Sequence, residues 1–189
     1  MKLPYQHESL RNHLLIAMPS MDDSRFANTV TLICDHTPEG AMGLVVNQPL
    51  SLDLDDLLEQ MGFDLNPERR HYPLLSGGPV QPERGFVLHR RGSSWQHTVD
   101  LDNDVALTAS RDILESMSTG LGPPEGLVLL GYAGWDAGQL ERELADNAWL
   151  TVPSSPAILF DTPFDQRVRA AAFQRGIDIN LLSHQVGHA

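Results

Sequence analysis

The sequence predicts a mixed α+β domain, with a bent, partly barrel-like mixed sheet flanked by helices. Three observations point there. Strand-like runs occur in pairs, separated by short turns. Helical stripes are interspersed among them without a regular βαβα alternation, which argues against a doubly wound sheet. Pro and Gly are scattered along the 189 residues instead of gathering into a linker, so one continuous domain is expected over residues 13–189, after a flexible N-terminal segment over 1–12.

The first strands are short and apolar. Residues 14–18 end at Pro19, and residues 29–35 are β-branched and apolar. Residues 41–46 follow the turn Pro38-Glu39-Gly40, so the second and third runs can form a hairpin. Residues 53–61 carry Leu54, Leu57, Leu58 and Met61 at the spacing of one buried helical stripe, with Gly62 as its stop. Further strands are expected at 85–89, 95–99 and 105–108, the last after the turn Asp102-Asn103-Asp104. A second helix over 111–119 buries Ile113, Leu114 and Met117 and stops at Gly120. Residues 127–130 are apolar on both faces, the mark of a central strand covered on both sides.

The helix that follows is predicted to start at Asp136. Asp136 would cap it, with Gln139 as the reciprocal partner, and Trp135 would staple onto Leu140. Residues 149–152 and 157–160 are expected to be strands. A final helix would use Thr162 as cap and Pro163 in its first position, bury Phe164, Val168, Ala171 and Ala172, and end at Gly176.

The charge balance is 13 basic against 25 acidic side chains, net −12. Such a chain repels nucleic-acid phosphates and anionic membrane faces, so neither direct nucleic-acid contact nor membrane contact is expected. The basic clusters at 69–71 and 89–91 read as solvated turns. No apolar run approaches a membrane span, and residues 1–11 lack the apolar core of a secretory signal, so a cytoplasmic protein is expected. Cys34 is the only cysteine and lies in an apolar run, where a buried structural thiol is expected in place of a nucleophile.

Few motifs carry chemistry. No Gly-rich nucleotide fingerprint, phosphate loop or nucleophile elbow occurs, and no cofactor is called for. His184 and His188 are four apart but lack the intervening glutamate of a zinc helix, so no metal site is expected there. His36 and His89 close strand runs, where a hydrogen bond to the strand end competes with acid–base chemistry. The Gly77-Gly78-Pro79 turn reads either as an anion nest or as a bend that needs glycine. The segment 131–149 runs from a buried strand into a helix start, a common ligand crevice, with Trp135, Gln139, Glu143, Asn147 and Trp149 nearby.

At these residues the sequence resembles the YqgE/AlgH family of bacterial proteins. The similarity lies in "LLIAMPSM" (14–21), "FANTVTLICDH" (26–36), "GAMGLVVNQP" (40–49), "SGGPV" (76–80), "RGFVLH" (84–89), "GYAGWDAGQLERELADNAWL" (131–150) and the terminal "GHA". The last two motifs resemble the AlgH branch. The resemblance implies a single mixed α/β domain with a bent, partly barrel-like sheet. It also implies a regulatory link, proposed for that branch in alginate production, for which no biochemical activity is established. With this charge, regulation through protein contact is the expected route.

Two functions are therefore expected to compete. One is a binding or regulatory module with an unidentified protein partner or small ligand. It would use a surface of Asn47, Pro49, Gly77, Gly78, Pro79, His89, Trp135, Gln139, Glu143 and Asn147. The other is an enzyme, or a small-molecule or anion-binding protein, with its pocket between the Gly77-Gly78-Pro79 turn and the Trp135 helix start. A third reading is purely structural: glycines, caps and the staple serve only to specify the fold.

Overall fold

The computed structural model describes residues 8–102 and 104–183. Among the described residues nine strands form one curled sheet: β1 (His13–Ala17), β2 (Val30–Thr37), β3 (Gly40–Val45), β4 (Leu74–Ser76), β5 (Val80–Arg90), β6 (Thr98–Asp100), β7 (Val105–Thr108), β8 (Gly126–Asp136) and β9 (Trp149–Pro153). The helices are α1 (Leu54–Gln60), α2 (Arg111–Thr119), α3 (Gln139–Ala145), α4 (Arg167–Phe173) and α5 (Ile179–Ser183). The strand order is β6-β7-β5-β8-β3-β2-β1-β9, with β4 added beside β8. Every pairing is antiparallel except that of β4 with β8. The single parallel strand makes the sheet mixed, as expected.

The central strands β1 and β2 are buried on both faces. Leu14, Ile16, Leu32 and Cys34 point into the main core, which α4 covers with Ala171 and Ala172. The alternate residues Leu15, Ala17 and Ile33 join Trp135, Leu140 and Trp149 on the other side, beneath α3. A third cluster packs Leu54 and Leu58 of α1 and Ile113 and Met117 of α2 against Leu74, Val87 and Val128. A side-chain period of two is what lets one strand serve two cores.

β8 organises the sheet. Its first half pairs with β5 (Leu88↔Leu127, Phe86↔Leu129) and, on the opposite edge, with β4 (Leu75↔Leu129). Its last residues pair with β3 (Ala41↔Trp135, Gly43↔Ala133). Since β4 and β5 flank opposite edges of β8, the three residues Gly77, Gly78 and Pro79 must carry the chain across it. They do so at backbone contact. A Cβ on Gly78, whose φ is +150°, would stand 2.2 Å from the Tyr132 carbonyl carbon. On Gly77 it would stand 2.3 Å from the Gly131 oxygen. This crossing, not solvent exposure, is why two glycines are required.

Several expectations need correction. β8 runs on to Asp136: Gly131 bends it at φ +77°, as its turn reading expected, but pairing with β3 carries residues 133–136 on as strand where Gly134 also read as a turn. Asp136 is therefore no N-cap. α3 starts after Gly138, at φ +72°, and only half of the predicted capping box survives, with the Asp136 N–H donating to Gln139 Oε1 at 3.1 Å. Residues 157–160 are not a strand. Ala157–Asp161 is a wide helical turn, begun by Ser155 and helical Pro156, with the Ile158 N–H donating to the Ser155 carbonyl at 3.1 Å. Thr162 donates its hydroxyl to the Ala157 carbonyl, closing that turn instead of capping the next. Pro163 lies just outside the Phe164–Gln166 turn that leads into α4. The strand expected at 95–99 shrinks to Thr98–Asp100, because the Trp95 N–H turns onto Thr98 Oγ1.

Residues 8–12, expected to be flexible, are tied to β2. The Leu10 N–H donates to His36 Nδ1 at 2.9 Å and the Asn12 N–H to the Ile33 carbonyl at 2.8 Å. Among the described residues no helix is long and apolar enough to cross a membrane. The pair His184 and His188 and the terminal "GHA" lie outside the described residues.

Candidate functional site

The crossing places Pro79 and Val80 beside the end of β8, against Trp135. Two neighbouring hollows open there. One, of about 140 Å³, lies between Pro79, Gly134, Trp135, Gln139, Glu143 and Trp149. The other, of about 190 Å³, lies between Val45, Gln48, Ser76, Gly78 and Pro79. Arg25, Phe26 and Pro79 line both, so the two hollows adjoin and together make the candidate cleft.

Its floor is aromatic. Trp135 and Trp149 meet edge to face, ring centroids 6.0 Å apart, and Phe26 lies 5.7 Å from Trp149 and 6.5 Å from Trp135. Glu143 joins the two indoles: its Oε2 accepts from Trp135 Nε1 at 2.7 Å and from Trp149 Nε1 at 2.9 Å. Its Oε1 accepts from Gln139 Nε2 at 3.1 Å. The carboxylate is thus oriented by three donors, from the ends of β8 and β9 and from α3 itself. Trp135 and Leu140 share one buried cluster, but with Gly138 as the N-cap Trp135 no longer stands in the staple position just before the helix.

The outer wall is polar. Arg25 is exposed and lies 5.9 Å from the Phe26 ring centroid. Its guanidinium hydrogen-bonds Asp23 at 2.7 Å and holds that carboxyl below its usual range. The cleft therefore offers aromatic surface, a carboxylate and an exposed, Asp23-paired cation around two adjoining side-chain-sized hollows. Such a set anchors a partner's side chain or a small ligand. Among the described residues no group of three or more His, Cys, Asp or Glu side chains could hold a metal.

The structure gathers part of the predicted surface. Gly78, Pro79, Trp135, Gln139 and Glu143 line the cleft, and Gly77 shapes the crossing behind it. Gly77 is no open anion nest, since its N–H donates to the Leu130 carbonyl at 2.7 Å. Asn47 and Pro49 face a separate shallow hollow with Phe164. Asn47 acts structurally: it accepts from the Val30 N–H at 3.0 Å and donates to the Asn28 carbonyl at 2.9 Å, which anchors the loop carrying Arg25 and Phe26. Asn147 is exposed at the far end of α3, in the left-handed region at φ +57°, and lines neither hollow.

His89 is a correction. It is fully buried in β5, opposite Gly126 at the other end of β8 from Trp135. Its Nε2 is 2.8 Å from Thr108 Oγ1, its Nδ1 is 2.9 Å from the Arg90 carbonyl, and Trp95 packs edge to face on its ring. It is a core histidine, and the cluster 89–91 is no solvated turn at this position. Arg25 and Phe26 were missed. Their only signal is an arginine–aromatic pair in the polar loop just before a buried strand.

Comparison with known proteins fits this architecture. The AlgH-like family model matches residues 14–180. AlgH of Pseudomonas aeruginosa is 52% identical over 182 residues, covering 95% of this chain and 96% of that protein. A relative from Nitrosococcus oceani is 51% identical over 180 residues, again 95% and 96%. The solution structure of P. aeruginosa AlgH superposes with a TM-score of 0.79 at 50% identity, covering 100% of both chains. A crystal structure from Corynebacterium diphtheriae shares the fold, with a TM-score of 0.72 at 18% identity over 95% of this chain and 94% of that one. The chain belongs to the AlgH-like (UPF0301) family.

Proposed function

We propose that this protein is a cytoplasmic binding and regulatory module that captures a partner's side chain or a small ligand in the cleft between the Gly77-Gly78-Pro79 crossing and the Trp135–Trp149 pair. One observation carries the reading: two hollows that share Arg25, Phe26 and Pro79 unite an aromatic floor with an oriented carboxylate. Aromatic and arginine side chains are the residue types that most often dominate binding energies. The net charge of −12 favours regulation by protein contact without direct DNA contact. The enzyme reading has less support, because the Gly77 N–H is committed to the sheet and His89 to the core.

The three tryptophans supply the test. Trp135 and Trp149 floor the cleft, while the Trp95 indole donates to Ser116 Oγ at 2.9 Å outside it and serves as an internal control. In ¹⁵N-labelled protein, a cytoplasmic fraction containing the ligand shifts or broadens the Trp135 and Trp149 indole signals and leaves that of Trp95 in place. Arg25→Ala and Phe26→Ala abolish the response. If no fraction acts on those two signals, or if all three broaden together, the proposal fails.

A further inference from the structure

Arg167 begins α4 and is 2% exposed, an unusual burial for a guanidinium. Its Nε donates to the Thr162 carbonyl at 2.9 Å and its Nη1 to the Val46 carbonyl at 2.5 Å, and it lies 4.5 Å from the Phe164 ring centroid. Carbonyl dipoles and a ring face soften the charge without cancelling it. Among the described residues no carboxylate forms an ion pair with it, and no hydrogen bond reaches its Nη2. Burial alone depresses its pKa, to about 10, so it remains a cation at neutral pH. An unpaired buried charge is costly, and folds retain one where something neutralises it.

Arg167 lines the floor of a groove of about 580 Å³, far from the tryptophan cleft along β8. That volume lies within the range of small-molecule sites. Arg70 stands exposed on the rim, with its Nη1 3.4 Å from the Pro124 carbonyl and no carboxylate partner among the described residues. Phe160 and Phe164 add apolar wall. Two acids, Glu125 and Asp161, also line the groove, but both face Arg90, at 2.5 and 4.0 Å. Arg90 is shared between the two carboxylates, so three guanidiniums meet two acids, and one net positive charge is left to whatever occupies the space.

We infer that this groove is a binding site for a small molecule carrying an oxyanion, phosphate or carboxylate, which seats on the inward edge of Arg167 while its apolar body lies along Phe160 and Phe164. Arg167 would meet the anion inside low-polarity surroundings, where a charge-assisted contact is strongest. Arg70 would steer and hold it from the rim.

The test uses the full chain and two probes, inorganic phosphate and succinate, each against sodium chloride at equal ionic strength. The readout is the Arg167 Nε–H signal, shielded by its bond to Thr162, together with the Gly126 and Leu127 amides. At least one probe shifts these signals saturably at concentrations up to about 50 mM, the weak end of specific affinity. Which of the two saturates assigns the anion class. Losing the charge-assisted contact in Arg167→Gln weakens binding by about tenfold or more, and losing the rim cation in Arg70→Ala weakens it by about threefold. If Arg167→Gln does not fold, the wild-type Nε–H titration and Arg70→Ala decide alone. The inference is overturned if neither probe moves the Arg167 signal, if the shifts are linear or spread over all arginines, or if a folded Arg167→Gln binds as the wild type does.

Discussion

Glu143 Oε2 accepts the indole N–H of Trp135 at 2.7 Å, and that contact couples the end of a strand to the helix that follows it. The same oxygen accepts from Trp149, so one carboxylate fixes the angle between two nearly buried rings. Glu143→Ala leaves two indole donors facing a poorly hydrated space. Each such bond contributes about 1.5–3 kcal/mol when fully buried, and partial exposure of Glu143 reduces the pair to about 2 kcal/mol in total. Glu143→Gln keeps an acceptor and costs about 1 kcal/mol. Urea unfolding followed by tryptophan fluorescence measures both. A loss below about 0.5 kcal/mol for the alanine variant would show that the indoles do not depend on this carboxylate.

The local rules made much of this fold legible. The stripe and stops of α1 and α2 end where Gly62 and Gly120 turn left-handed, and the β2–β3 hairpin follows from its apolar runs and the Gly40 turn. What stayed hidden depends on distant pairing. Gly134 reads as a turn residue, yet β8 runs through it because Gly40 to Gly43 pair with its end, whereas Gly131 does bend the strand, at φ +77°. The cleft itself joins Phe26, Pro79, Trp135 and Trp149, four stations spread over most of the chain, and no spacing rule brings them together. Glu143 was legible because it shares a helix with Gln139. Its two indole donors were not, since their approach depends on β8 and β9 meeting beneath α3.

The chain crossing over β8 predicts a sharp contrast among glycines. Gly78→Ala forces a Cβ into the Tyr132 backbone at positive φ and should cost about 3 kcal/mol or more, enough to remove most of the folded protein. Gly134→Ala, in the same sheet, meets nothing closer than the Tyr132 ring at 3.7 Å and should change stability by about 0.5 kcal/mol or less. Thermal melts of the two variants distinguish them. Equal stability would mean the crossing can open to admit a methyl group.

Cys34 is buried in the main core and its Sγ is 3.7 Å from the Leu32 carbonyl oxygen. Burial pushes its thiol up to about 12, so almost no thiolate exists at pH 8. A disulfide-exchange reagent should leave the native protein unmodified and titrate one thiol per chain once urea unfolds it. Rapid labelling of the native state would contradict the burial.

His89 gives acid sensitivity a defined source. The Arg90 carbonyl can only accept, so Nδ1 carries the proton and Nε2 accepts from the Thr108 hydroxyl. Thr98 completes the relay: it accepts from the Trp95 N–H and lies 2.7 Å from Thr108, to which it donates. Protonating Nε2 sets a donor against a donor and reverses that chain. Burial, the largest influence, lowers the His89 pKa below its ordinary value. The unfolded chain then binds the proton more readily than the native one. The contribution is whole above about pH 6.5, the unfolded histidine value, and is lost as pH falls from there through the lower native value. Its slope is at most about 1.4 kcal/mol per pH unit for one proton. His89→Gln, less stable at neutral pH, should therefore lose less between pH 7 and pH 5 than the wild type. Urea unfolding at the two pH values measures this, and parallel losses in both proteins would place the acid sensitivity elsewhere.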